Sequence, residues 1–300
     1  MTTASTTPSL SPAELSYIVD GLKGTPPTRS DGRGLLEPRD IGIEYEVAPA
    51  ANGSARVRIG NTEVVAGVKL EVGEPGPAKV AVDVTPQALP SLQSSALQAL
   101  STEYAAHLSE HFIPFVPRLP ITKERAFLPS LHLTVVSAEG NIITALALAA
   151  RAAFSDLEVP DTKVIAWTGD DDASSAADKS GFGALKDGAR GKGKGKARAK
   201  GLDDWDLGEG THRIEGREEL PVLLSLNLVQ GSENTFLDPS PNEEAACPER
   251  ILAWFRPNGN VCGIRTEGGL GIEAGRMRGL LEQAQGLATA MAATLNADLP

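Results

Sequence analysis

The chain has 300 residues, 41% of them hydrophobic, and 39 acidic side chains against 28 basic ones give a formal net charge of −11. That length suits one large domain or two small ones, and no apolar run reaches the roughly eighteen residues that suggest a membrane-spanning helix. An acidic body argues against a broad phosphate-binding face, because neutralising phosphates takes clustered lysine and arginine, and two cysteines outside any CxxC pair are too few for a disulfide scaffold.

Charge is uneven along the chain. Residues 183–201 hold seven basic side chains and one acid, a local +6 that leaves −17 on the remainder. Cys247 and Cys262 read as reduced, semi-buried thiols of an intracellular protein. Residues 1–12 are rich in Ser, Thr and Pro without a basic stretch leading into an apolar one, so a disordered tail is expected rather than a secretory signal.

Ser11-Pro12-Ala13-Glu14 carries the marks of a helix start, and Leu15, Ile18, Val19 and Leu22 form one apolar stripe before Gly24 and Pro26-Pro27 stop it. Ile41, Ile43, Tyr45 and Val47 alternate with polar residues, which predicts a half-buried strand. Two more strands flank Gly60-Asn61 over residues 52–72, and a fourth covers 80–84 after a loop, so a largely antiparallel sheet is expected. Leu97, Leu100, Tyr104, Leu108 and Phe112 recur at helical spacing over 94–112. Pro114, Pro117 and Pro120 then break the chain before a strand over 128–136. Gly140-Asn141 leads into 142–154, a run apolar all round, which predicts a buried helix. A strand over 163–168 follows.

Residues 170–206 open with Asp170-Asp171-Asp172 and become a threefold Gly-Lys repeat over 191–196. Such a segment buries almost nothing and is expected to be a solvated insertion. A sequence-independent RNA tether is the sharper alternative, although no aromatic interleaves the lysines to stack on bases. Beyond it come a buried strand over 222–229, two strands over 251–255 and 261–265 around a Pro257-Asn258-Gly259 turn, and a closing helix over 276–295 with Met277, Leu280, Leu281, Ala284, Leu287, Met291 and Leu295 inward. Strands with a helix, then strands with a helix again, make an α+β protein of two related halves.

Few other constellations carry chemistry. His107 and His111 are four apart beside Glu103 and Glu110, a spacing that permits zinc, but without a third ligand they read as solvated helix histidines. His132 alternates with apolar neighbours in a strand, and His212 borders the insertion. There is no Gly-x-Ser-x-Gly elbow, and Gly268-Gly269-Leu270-Gly271 lacks the Lys-Ser/Thr of a phosphate loop.

The run from Asn52 through Gly60-Asn61 to Val72, preceded by Arg29-Ser30-Asp31-Gly32-Arg33, resembles the opening of the RNase PH family. That family comprises phosphorolytic 3′-to-5′ exoribonucleases and their ring-forming relatives. The order of elements is similar from about residue 29 to residue 295, apart from the insertion. The resemblance implies an α+β, RNase PH-like (ribosomal protein S5 domain 2-like) fold with mixed, largely antiparallel sheets. It divides the chain into a tail and short helix (1–28), a first half (29–168), a disordered acidic and Gly-Lys insertion (169–217) and a second half (218–296). Within the family, residues 10–33 and Asp238-Pro239-Ser240-Pro241-Asn242-Glu243-Glu244 look most like the non-catalytic ring subunits of the exosome core, archaeal and eukaryotic.

In active members a Gly-Ser-Arg step at the start of the central helix holds phosphate; the matching place here reads Gly140-Asn141-Ile142. An isoleucine cannot neutralise phosphate as a guanidinium does. Active members also place two aspartates six residues apart to hold a metal and assist the leaving group. Counted from Asp238, those places fall on Glu244 and Arg250, and a cationic side chain cannot ligate a metal. The resemblance therefore implies a degenerate phosphate site, a degenerate metal and acid site, no catalytic residue, no metal and no cofactor. Lys69-Leu70-Glu71-Val72-Gly73 stands where active members carry a Gly-Pro-Arg segment. Arg118, Lys123 and Arg125 fall near the RNA path of ring-forming relatives and are the candidates for guiding single-stranded RNA. The implied partners are other RNase PH-like subunits in a six-membered ring, RNA-binding cap subunits and a separate hydrolytic nuclease, with no membrane. The implied location is nucleus, nucleolus and cytoplasm. An active phosphate-dependent exoribonuclease and a sibling subunit at another ring position are the alternatives.

Overall fold

Ser11 caps the first helix as its sequence requires. Its hydroxyl accepts the Glu14 N–H at 3.3 Å, the Glu14 carboxylate accepts the Ser11 N–H at 2.8 Å, and Pro12 opens α1 (Pro12–Lys23). In this computed structural model, which describes residues 8–165, 204–269 and 271–300, the apolar stripe of α1 lies on the second half of the chain. Leu22, 1% exposed, clusters with Val229, Phe236 and Cys247, with Ile18 and Val19 at the edge.

The first half is built on a six-stranded sheet of β1 (Ile41–Tyr45), β2 (Gly53–Ile59), β3 (Thr62–Gly73), β4 (Lys79–Val84), β5 (Leu119–Pro120) and β6 (Ala126–Ser137). The order is β1-β2-β3-β6-β4, with β5 pairing β6, and every pairing is antiparallel except β4 with β6. A parallel pair needs a crossover, and α2 (Ser94–His111) lies on it. Alternation sends Ala55, Val57 and Ile59 of β2, Val64, Ala66 and Val68 of β3, and Leu131, Leu133 and Val135 of β6 to one face, all at most 1% exposed. The register agrees, pairing Val57 with Val64 and Ala66 with Leu133.

That face receives α3 (Ile142–Ser155), buried along its whole length. Its alanines let it lie between two sheets, touching β2 and β3 on one side and β9 (Val222–Leu228) on the other. Approach is so close that a Cβ on Gly53 would stand 2.6 Å from the Ala153 carbonyl oxygen. A buried charge accompanies it: Arg151 donates to the Leu220 carbonyl at 3.2 Å and to Asn296, and burial pulls its guanidinium down to about 10.

Two expectations need correction here. The strand expected over 163–168 begins earlier, as β7 (Glu158–Ile165); residues 166–168 lie outside the described residues. The insertion expected to run disordered over 169–217 ends sooner, because β8 (Asp204–Arg213) pairs antiparallel with β7. Cross-strand polar contacts hold that ribbon, with Thr211 donating to Glu158 at 3.0 Å and His212 meeting Asp161 at 2.7 Å. The Gly-Lys repeat and the Asp170-Asp171-Asp172 run lie outside the described residues.

The second half is a four-stranded antiparallel sheet in the order β10-β9-β11-β12, adding β10 (Thr235–Phe236), β11 (Arg250–Phe255) and β12 (Val261–Glu267). A one-and-a-half-turn helix, α4 (Pro241–Ala246), joins β10 to β11, and α5 (Ala274–Ala297) covers the sheet. Leu280, Ala284, Ala288 and Ala292 form the fully buried stripe of α5, while Met277, Leu281, Leu287 and Leu295 pack at its margins. Among the described residues no helix is long and apolar enough to cross a membrane.

Candidate functional site

The two halves meet where α3 begins. Gly140 and Asn141 both adopt left-handed backbone, φ 79° and 53°. Glycine is required at 140 for space as well as torsion: a Cβ there would lie 2.6 Å from the Pro239 carbonyl oxygen. A helix start presents unpaired N–H groups and positive potential, the local chemistry that binds anions. Here the anion comes from the chain itself. The Asn141 N–H donates to Glu244 Oε1 at 2.9 Å, and its Nδ2 donates to Asp238 Oδ1 at 2.8 Å. Ile142 is 6% exposed and packs into the core.

Glu244 and Arg250 face each other. Arg250 Nη1 donates to Glu244 Oε1 at 3.2 Å and its Nε to Glu267 Oε2 at 2.7 Å. Burial pushes the Glu244 carboxyl up, against the pull of Arg250 and the Asn141 N–H. Burial also opposes the charge on Arg250, but Glu267 and Glu244 outweigh it and raise its pKa. Among the described residues no group of three or more His, Cys, Asp or Glu side chains is placed to hold a metal. Of the sequence-matched phosphate and metal positions, Asn141, Glu244 and Arg250 thus form one hydrogen-bonded cluster, while Ile142 packs into the apolar core.

A ring of arginines completes it, and sequence reasoning missed their partners. Asp238 accepts from Arg39 through Nε at 2.8 Å and Nη2 at 2.7 Å, from the Arg39 N–H at 2.8 Å, and from Arg33 Nη1 at 3.1 Å. Burial acts to raise the Asp238 pKa, but the hydrogen bonds and charge of Arg39 win and hold it below its ordinary value. Arg29 is buried entirely, with Nε and Nη2 on Glu243 at 2.9 and 2.6 Å and further bonds to the carbonyls of Leu237 and Asp238. The signal was available: three arginines at 29, 33 and 39, and three acids at 238, 243 and 244, have complementary charge.

The candidate RNA contacts stand elsewhere. Arg118, Lys123 and Arg125 are exposed around the β5–β6 hairpin, whose turn is closed by the Ile121 N–H on the Arg125 carbonyl at 3.0 Å. None of the three forms an ion pair among the described residues. β6 runs from that hairpin toward the start of α3, and its twelve residues span about 35 Å, so these cations are not brought to the α3 cluster. His107 is a correction: it is 2% exposed rather than solvated, with its ring 5.0 Å from His111 and 6.4 Å from Trp254. Burial, then Arg265 and His111, push it down to about 4.

Residues 37–160 match the RNase PH model, described as the 3′ exoribonuclease family, domain 1. The exosome complex component Rrp42 of Thermoplasma acidophilum is 34% identical over 166 residues, 51% of this chain and 63% of the relative, so the matched part spans under two thirds of that protein. Rrp42 of Methanosarcina acetivorans is 27% identical over 252 residues, covering 80% of this chain and 78% of the relative. Among solved structures, an Archaeoglobus fulgidus exosome with RNA bound to the active site aligns with a TM-score of 0.66 at 21% identity over 94% of this chain and 98% of that one. An archaeal exosome core aligns at 0.62 and 21%, over 95% and 96%. At that identity the likeness is one of fold, and it bears out the RNase PH-like architecture. Residues 37–160 thus match the RNase PH domain, in a chain that shares the fold of archaeal exosome core structures and is similar in sequence to the archaeal Rrp42 components.

Proposed function

We propose that this chain is a non-catalytic, structural and RNA-guiding subunit of an exosome core ring of the eukaryotic type, supporting 3′-to-5′ RNA processing and degradation, including maturation of ribosomal RNA 3′ ends. One observation carries the reading: the Glu244 carboxylate already occupies the Asn141 N–H, 2.9 Å away, at the helix start where a phosphorolytic enzyme would hold phosphate. A phosphate dianion entering there would meet a carboxylate and find no guanidinium at Ile142. A divalent cation beside Glu244 would meet the Arg250 guanidinium. Losing one buried charge-assisted contact costs about 2–5 kcal/mol, and here the whole anion set is committed internally. Bond cleavage then belongs to a separate hydrolytic nuclease, with RNase PH-like neighbours completing a six-membered ring below RNA-binding caps. Arg118, Lys123 and Arg125, exposed and without an acidic partner among the described residues, would steer single-stranded RNA by its phosphates.

The test has two readouts. Pure full-length protein incubated with single-stranded RNA, inorganic phosphate and magnesium is expected to release no nucleoside diphosphate, and steady release would overturn the non-catalytic reading. Native mass measurement of the affinity-purified complex is expected to show RNase PH-like partners; a chain that purifies alone would overturn the ring assignment.

A further inference from the structure

One face of the first sheet is covered by α3; the opposite face carries a polar row. Leu131 and Leu133 of β6, Val68 of β3, and Val80 and Val82 of β4 point into the core, so the residues between them stand on the opposite face. Pairing brings four of these together. Ser130 of β6 is the register partner of Lys69 on β3 and of Lys79 on β4. Adjacent strands lie about 4.8 Å apart, so the two lysines rise one strand to either side of the Ser130 hydroxyl. In the next row His132 is flanked by Gly67 and Ala81, which are too small to cover its imidazole. His132 Nε2 lies 3.2 Å from Ser130 Oγ. Lys69, Lys79 and His132 are exposed and Ser130 is half-buried, so all four are reachable from solvent.

Two ammonium groups, a hydroxyl and an imidazole side by side are a donor set for an oxyanion. Lys69 forms no ion pair among the described residues. Lys79 meets Glu71 at 3.2 Å, with both side chains more than half exposed, and such a pair is worth about 0–1 kcal/mol. Glu71 and Asp83 stand on the same face, so the local cationic surplus is small. That suits a singly charged phosphodiester better than a multiply charged anion. The polar row also argues against a protein partner, because the core of a lasting protein interface is depleted in charge. Its position links it to the hairpin of Arg118, Lys123 and Arg125: Ser130 lies five residues beyond Arg125, about 17 Å along β6.

We propose that this face carries a phosphate-contact site for single-stranded RNA, with Lys69 and Lys79 on either side of Ser130 and His132. The site rests on the RNA-guiding reading and continues its path from the hairpin onto the sheet. The test titrates a fluorescein-labelled oligouridylate with full-length protein and follows anisotropy over about 0.05–0.2 M salt. Lys69→Gln and Lys79→Gln should each weaken binding about fivefold near 0.1 M salt and make the salt slope shallower by about 0.7, as the loss of one phosphate contact on a single strand requires. Ser130→Ala should weaken binding about twofold with the slope unchanged, since a neutral donor displaces no counterion. Lys23→Gln makes the same charge change on α1, which packs on the second half, and should alter neither affinity nor slope. Arg125→Gln separates the site from the reading beneath it. If that variant weakens binding while the Lys69 and Lys79 variants do not, RNA guiding stands and the sheet-face site is overturned; if the unaltered protein binds no RNA, both fall. A changed subunit mass for Lys69→Gln with RNA affinity intact would make this face a protein interface and also overturn the proposal.

Discussion

Replacing Arg29 by methionine tests the clasp between the N-terminal segment and the second half of the chain. Methionine keeps most of the apolar stem and removes the guanidinium. Four hydrogen bonds go with it, two to Glu243 at 2.9 and 2.6 Å and two to carbonyls at 3.0 and 2.9 Å. The contact with the Phe236 ring, 5.6 Å from its centroid, goes too. Glu243 is left 2% exposed with the Ser240 N–H at 2.8 Å as its remaining strong donor. Breaking one side of a buried ion pair costs about 3–5 kcal/mol, chiefly for the stranded charge. That is a large share of the roughly 5–15 kcal/mol that keeps a domain folded. Urea unfolding of the full-length chain followed by fluorescence measures it. Because the stranded carboxylate is the main cost, Glu243→Gln added to Arg29→Met should recover part of the loss. A loss under about 1 kcal/mol for Arg29→Met, or strict additivity in the double variant, would refute this account of the clasp.

Two further predictions concern acid sensitivity. His107 is neutral in the folded state down to about 4, whereas its unfolded form takes a proton near 6.5, so the unfolded state binds more protons between those values and stability falls as pH drops through that window. His107→Leu should remove this slope, seen as a smaller gap between urea midpoints at pH 7.5 and pH 5, and an unchanged gap would count against it. Asp238 shifts stability in the same direction, as a carboxylate held ionised. Its lowered pKa contributes stability that is present above its unfolded value and lost as pH falls through the folded one. Asp238→Asn should therefore cost about 3 kcal/mol at pH 7 by leaving Arg33 and Arg39 short of an anion, and progressively less as the pH falls below the carboxylate's unfolded range, in the same midpoint assay.

Periodicity made the core legible. β2, β3 and β6 alternate, α3 is apolar on every side, and α5 repeats its small residues every fourth position, so tertiary context only confirmed what local pattern required. β8 was not legible because Asp204–Arg213 carries charges and glycines in place of an apolar face, and its partner β7 lies across a long Gly-Lys stretch. Gly208 and Gly210 serve that pairing, since a Cβ at either would crowd Asp161. α4 is too short to show a period, although Ser240 and Glu243 spell its capping box. For the site, positions could be matched but not partners. Asn141 meets Glu244 across 103 residues and Arg29 meets Glu243 across 214, and no local pattern encodes such pairings.

The helix start at Asn141 has a fixed electrostatic need, and this chain meets it differently from a phosphate-binding site. Unpaired N–H groups at the head of a buried helix require an anion whether or not a substrate ever arrives. In a phosphorolytic site that anion can come and go. Here Glu244, on a different element, is held permanently, and the cost of burying it is visible in its raised pKa. A carboxylate so placed needs its own cation, which is the office Arg250 performs, itself balanced by Glu267. Asp238 repeats the pattern with Arg33 and Arg39. Asn141, Asp238, Glu244 and Arg250 therefore form a cross-brace between α3 and the segment from 238 to 250. Removing any single charge of these pairs would strand its partner. Arginine at 142 would bring a guanidinium to an apolar core position 6% exposed, while Asp238 and Glu244 are already engaged by Arg39 and Arg250.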